Sequence, residues 1–219
     1  MKKIKALLYC TKAKPYLYRT PKVMNFAGTF FTYSSNKNLE NCTLNGTILC
    51  ECEIEVEEIK KGWGCLIGTR YYRKSSGYPD YELEQKSCLS FDKMNEYLNG
   101  TLNEKSGYAL HISNLKVFDK PKALSEYVYR TCLYGNCSTC KHYETANCSA
   151  MQFPIKKAPQ NMMCAFECIG DGGYINLDEV SKEPYILISI QPQWLCKILN
   201  GEKDIEIRKQ VLNCMKGNE

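Results

Sequence analysis

Two kinds of hydrophobic pattern organise the chain. Across 46–59, GTILCECEIEVEEI, the residues Ile48, Cys50, Cys52, Ile54 and Val56 alternate with Leu49, Glu51, Glu53, Glu55 and Glu57. That period of two predicts a strand with one wet face. IKALLYC (4–10) is a short apolar run that predicts a buried strand entering a basic turn, and YILISIQ (185–191) predicts another strand. NMMCAFEC (161–168) is a compact apolar strand, and YALHISNLKVFD (108–119) predicts a strand or a strand pair.

Helical spacing occurs twice. In CLSFDKMNEYLNG (88–100), Ser90 is a candidate N-cap, Phe91, Met94, Tyr97 and Leu98 share a face, and Gly100 lies just past the end. After Gln191, Pro192 suits a first helical turn. Trp194, Leu195, Ile198 and Leu199 form its apolar stripe and Gly201 closes it. DIEIRK then alternates again, with Ile205 and Ile207 inward and Asp204, Glu206 and Arg208 on the opposite face. KPKALSEYVY (120–129) predicts one or two helical turns, and 62–87, rich in Tyr, Gly and Ser without a period, predicts a long surface loop. IGDGGYINLDEVSKEP (169–184) has the composition of a connector.

Composition changes this picture modestly. A chain of 219 residues with 44% hydrophobic content is long enough for one large domain or a domain with an insertion. A net charge of +5 gives a mildly basic surface that tolerates phosphates without identifying nucleic acid. No stretch reaches the roughly 18 apolar residues of a membrane helix. The N-terminal apolar run is broken too early for a signal peptide, so the expected setting is the cytoplasm. There, N-x-S/T triplets at Asn41, Asn45, Asn99, Asn136 and Asn147 carry no glycan.

Fourteen cysteines then point to reduced thiols and a metal site, not to a disulfide scaffold. Cys132, Cys137, Cys140 and Cys148 have the spacing C-x4-C-x2-C-x7-C, which suits a closed, structural tetrahedral zinc, with His142 as a substitute ligand. The competing reading is four unrelated thiols in a loop.

ILISIQPQWLCKILNGEKDIEIRK resembles the opening strand, helix and strand of the ASCH domain, a PUA-like β-barrel family with the signature G-x-K-x-x-E-x-R, here Gly201, Lys203, Glu206 and Arg208. ALLYCTK, GTILCECEIEV, HISNLKVFDKPKALSEY, the cysteines from 132 to 148 and APQNMMCAF resemble later segments of a phage-associated branch of that family. The order differs, because the segment that opens the family closes this chain. The resemblance therefore implies an α+β fold: a circularly permuted PUA-like mixed β-barrel with short helices and a zinc-binding insertion near 130–150. Residues 1–168 would form most of the barrel, 169–184 the connector, and 185–219 the displaced first strand, helix and strand. A connector of sixteen residues spans at most about 50 to 58 Å. Closure within one chain and a domain-swapped dimer both remain open at this level.

The resemblance also implies a cleft for RNA or a nucleotide, bordered by Lys203, Glu206 and Arg208. Lys203 is a candidate phosphate ligand or base and Glu96 a candidate supporting carboxylate. TKAKPYLYR contributes Lys12, Lys14, Tyr16 and Arg19, a mixture of cations and rings that suits a nucleic-acid rim, and Tyr18 and RYYRK (70–74) share that composition. A small bacterial relative hydrolyses N4-acetylcytidine with a Lys, Thr and Glu set, and Lys203 matches its Lys. Glu206 stands where that relative has Thr, which weakens the amidohydrolase expectation. Three functions stay open: a binding module for RNA or a modified nucleotide, a hydrolase of a nucleobase amide or RNA phosphodiester, and a phage-derived interaction protein without catalysis. For the trio, the plain alternative is a salt-bridged structural strand. For His111, it is an ordinary strand residue.

Overall fold

In the computed structural model, the described residues are 3–11, 22–26, 29–33, 46–64, 68–73, 81–98, 107–132, 135–136, 151–167 and 184–216. For 22–26, 29–33, 61–64, 68–73, 131–132, 135–136 and 151–152 the description is limited to the backbone. Among the described residues, the protein is a mixed α+β structure built on one large mixed sheet and three short helices. In chain order the strands are β1 (Ile4–Cys10), β2 (Lys22–Phe26), β3 (Thr29–Tyr33), β4 (Ile48–Gly64), β5 (Gly68–Arg73), β6 (Gly107–Lys122), β7 (Tyr127–Cys132), β8 (Gly135–Asn136), β9 (Met151–Pro154), β10 (Met162–Glu167), β11 (Tyr185–Ile190) and β12 (Ile205–Arg208). The helices are α1 (Tyr81–Ser87), α2 (Phe91–Leu98) and α3 (Pro192–Leu199). Among the described residues no helix is long and apolar enough to cross a membrane.

The sheet runs β12-β6-β4-β1-β11-β10-β7-β8, with β5 beside β4 and β9 beside β7, while β2 and β3 form a separate hairpin. Its centre is the parallel pair β1 and β11, in register from Ala6 opposite Ile186 to Cys10 opposite Ile190. Both are buried on both faces over most of their length, which accounts for their continuous apolar runs. The C-terminal strand–helix–strand unit is thus built into the same sheet as the N-terminal strand: β11 lies between β1 and β10, and β12 pairs antiparallel with β6.

Alternation in β4 holds from Cys50 to Ile54. Cys50, Cys52 and Ile54 are buried, while Glu51, Glu53 and Glu55 stand partly exposed. It fails at Leu49, expected on the wet face but fully buried. The cause is a bulge: Leu8 pairs with Cys50 and Tyr9 with Ile48, so Leu49 is the extra residue. It turns inward beside Cys50, and Ile48 passes to the opposite face with Leu7, Tyr9 and Tyr127.

A second irregularity sits in β6. Glu51 pairs with Lys116 but Glu53 with Ser113, so β6 carries one more residue than β4 across this step. Asn114 absorbs it with φ of 51°, a left-handed conformation that Asn tolerates, and its Nδ2 donates to Glu53 Oε2 at 2.7 Å. Such bulges increase local twist, and the sheet curls until side chains from β1, β4, β6, β10 and β11 meet in one interior cluster. Ala6, Leu8, Cys52, Leu110, Phe166 and Ile188 belong to that cluster, and α3 adds Leu195 and Ile198.

Two smaller clusters cover the outside. Leu83, Phe91, Met94 and Leu98 of α1 and α2 pack on Ile59, Ala109, Ile205 and Ile207, while Tyr127 and Ile155 pack on Leu7, Tyr9 and Leu187.

Part of the expected loop over 62–87 is ordered structure instead. β4 continues to Gly64, β5 pairs with it from Arg73 opposite Ile59 to Gly68 opposite Gly64, and α1 covers 81–87. The stretch 120–126 also departs from expectation: the strand β6 continues through Lys122, and only Leu124–Glu126 make a 3-10 turn. The connector 169–184 lies outside the described residues except for Pro184.

Candidate functional site

The site begins with the way α3 ends. Pro192 opens the helix after an extended Gln191, and Asn200 closes it. Gly201 then takes a φ of 72° and its N–H donates to Ile198 O, while Glu202 N–H donates to Lys197 O at 2.9 Å. This is the paired hydrogen bonding of a Schellman motif, which needs a left-handed residue where Gly201 stands. The Lys197 ammonium pairs with the Glu202 carboxylate at 3.2 Å across the same turn. The chain is thereby reversed and delivers Lys203 into the protein.

Lys203 is buried, at 2% exposure. Its Nζ donates to Ser87 O at 2.6 Å and to Ile205 O at 2.7 Å, and lies 3.3 Å from Glu206 Oε2. Ser87 is the last residue of α1, so its carbonyl is one of those a helix end leaves without an intrahelical partner, and the ammonium caps the negative pole. The Trp194 ring lies 5.2 Å from Nζ, a cation–π contact. Burial pulls the Lys203 pKa below the usual lysine range, with Glu206 acting in the opposite sense.

Glu206 and Arg208 lie on one face of β12, and their cross-strand partners are Leu110 and Tyr108. Leu110 is an interior residue and Tyr108 packs against the same cluster. Arg208 NH2 lies 3.0 Å from Glu206 Oε1 and donates to Ser189 O at 2.8 Å, while NH1 donates to Asn161 Oδ1 at 2.9 Å. β12 is separated from β11 by β6, β4 and β1 along the sheet, so this guanidinium ties the sheet's edge back to its centre. The Arg208 Nε–H is buried and meets no acceptor among the described residues.

Asn161 is held in turn. Its Nδ2 donates to Gln210 O, its carbonyl accepts from Ser189 N–H, and Ser189 Oγ donates to Pro159 O. Tyr97 on α2 borders the network: its hydroxyl senses both Arg208 and Glu206, burial pushes its pKa up, and the Lys209 ammonium lies 5.2 Å from its ring.

Of the residues expected at the site, Lys203, Glu206 and Arg208 do come together, but as a buried network. Lys203 and Arg208 were expected on a polar, cleft-facing side; they are instead 2% and 8% exposed, because backbone carbonyls distant in sequence accept their protons. Glu96 sits on the exposed face of α2 and takes no part in the network's hydrogen bonds. Lys12, Lys14, Tyr16 and Arg19 lie outside the described residues, as do Cys137, Cys140, Cys148 and His142. Cys132 ends β7, described in its backbone alone. Among the described residues no group of three or more His, Cys, Asp or Glu side chains is arranged to hold a metal. His111 contacts Glu57 Oε2 at 2.9 Å on the sheet.

Sequence reasoning missed Asn161, Ser189, Tyr97 and the capping role of Ser87. Ser189 carried a readable signal, since a lone hydroxyl in YILISI must find a partner once buried. The Ser87 carbonyl carried none, because 116 positions separate it from Lys203. No family model matches the chain, and neither a curated protein nor a solved structure matches it.

Proposed function

We propose that the chain is an RNA- or modified-nucleotide-binding protein of the ASCH type, its curved sheet a circularly permuted PUA-like barrel acting in the cytoplasm. One observation carries the reading: a buried Lys–Glu–Arg network bordered by Trp194 and Tyr97, with the Arg208 Nε–H left without an acceptor among the described residues. A buried donor without a partner costs about 1 to 3 kcal/mol, which a ligand acceptor would recover. A carboxylate has about four lone-pair sites, so Glu206 keeps capacity for an N–H donor beyond its two cations. A planar ring with one acceptor and one donor on its edge, stacked on Trp194 or Tyr97, satisfies both groups.

The hydrolase reading fits less well. Lys203 already directs Nζ at two carbonyls and a carboxylate, so using it as a base requires breaking a cap on α1. Its lowered pKa is the one feature in favour of that chemistry.

The cysteines at 132, 137, 140 and 148 are proposed to hold a structural zinc. Metal analysis of freshly reduced protein should find about one zinc per chain, lost in Cys137→Ser. For the main reading, protein purified without nuclease should release RNA or nucleotide detectable by mass spectrometry, and Arg208→Lys should release much less. Incubation with N4-acetylcytidine should yield no deacetylated product. No co-purifying nucleotide, with rapid deacetylation, would favour the hydrolase instead.

A further inference from the structure

We propose that Cys164 and Cys214 form an oxidative modification site, closing under peroxide to a disulfide that fastens the C-terminal segment to β10. Their sulfur atoms lie 3.6 Å apart. Bonding at about 2.05 Å therefore needs an approach of roughly 1.5 Å, within reach of small side-chain and backbone shifts.

What marks this pair among the described cysteines is a half-buried thiol with a second sulfur 3.6 Å away. Cys10, Cys50, Cys52 and Cys196 are buried, and the Cys88 thiol points at Glu202 O. Cys214 is half-buried and has a second sulfur beside it; Cys164 is buried and acts as the resolving thiol.

The chemistry balances with a peroxide as oxidant. The Cys214 thiolate attacks one oxygen of hydrogen peroxide, the O–O bond breaks, and the leaving hydroxide takes up the thiol proton as water. Cys164 sulfur then displaces the oxygen of the resulting sulfenic acid, which leaves with the Cys164 proton as a second water. Two thiols and one peroxide become one disulfide and two waters.

The position gives the bond a structural effect. From Arg208 to Met215 the chain follows the start of β10, with Arg208 and Gln210 both bound to Asn161 and Cys214 beside Cys164. Val211 and Met215 plug the interior cluster on the way. A bond at Cys214 holds that plug, and the strand following Asn161, in place.

The test uses the full reduced chain, treated with hydrogen peroxide, alkylated and digested without reductant. Peptide mass spectrometry should find Cys164 joined to Cys214 as the leading product, and the oxidised chain should melt at a higher temperature than the reduced chain. Both signals should disappear in Cys214→Ser, whose replaced side chain is only half-buried. The proposal is overturned if Cys214 of the parent protein is recovered over-oxidised while Cys164 is alkylated, if Cys214 joins another cysteine, or if the melting temperature does not rise.

Discussion

Replacing Lys203 with Met separates the charge of this side chain from its bulk. Methionine keeps an unbranched apolar stem against Trp194 but cannot donate. Ser87 O and Ile205 O then lose the partners they hold at 2.6 and 2.7 Å, and Glu206 keeps Arg208 alone. Each buried acceptor left unpaired costs about 1 to 3 kcal/mol, so the gross loss is about 2 to 6 kcal/mol. Against it stands the relief of no longer burying an ammonium, the same desolvation that pulls the Lys203 pKa down. A net loss of about 3 kcal/mol follows. With a urea m-value of about 3 kcal/mol/M, the unfolding midpoint should fall by roughly 1 M with m unchanged. Lys203→Ala should lose about 2 kcal/mol more, through the cavity left by the stem. A Lys203→Met midpoint within about 0.2 M of the parent would refute the buried-cap account and return Lys203 to a solvent-facing role.

Other perturbations probe separate parts of the structure. Gly201→Ala should cost about 1 to 2 kcal/mol by urea unfolding, all of it backbone strain, since an added Cβ meets nothing within 4 Å and φ is 72°; an unchanged midpoint would remove the Schellman turn from the argument. Burial pushes the Cys52 thiol up to about 12, so the folded state keeps a proton that the unfolded state sheds from about pH 9. Its contribution is complete below that pH and is lost as pH rises toward 12, at about 1.4 kcal/mol per pH unit, so Cys52→Val should flatten the alkaline fall in stability by that slope. Deleting 169–219 removes β11 from between β1 and β10 and should give insoluble or molten protein, whereas a soluble, cooperatively melting product would make the C-terminal unit a detachable tail.

The local devices were legible in the sequence because they depend on neighbouring residues. Pro192 and Gly201 bracket α3 through fixed φ and tolerated φ, and the burial of β1 shows in the apolar run from Ala6 to Cys10. Residues 185–190 pair in parallel with the N-terminal strand, from Ala6 opposite Ile186 to Cys10 opposite Ile190.

What escaped was tertiary. The bulge at Leu49 reverses the face of Ile48, and no period-two count shows where an extra residue sits. β5 was missed because its pattern lacks alternation, although backbone pairing with β4 needs none. Lys203 and Arg208 were expected at a cleft because the family resemblance implied one. Their burial depends on Ser87, Ser189 and Asn161, which only the folded chain brings near.

The most direct test of nucleotide binding at this network uses Trp194 as the reporter. The chain has two tryptophans, so Trp63→Phe leaves fluorescence that reports on the site alone. Titration with short single-stranded RNA and with free nucleotides should quench Trp194 saturably, and Arg208→Lys, which keeps the charge but loses the forked geometry, should weaken binding at least tenfold. Saturable quenching unaffected by Arg208→Lys would place the ligand elsewhere. No saturable response to any RNA or nucleotide would contradict the proposed function.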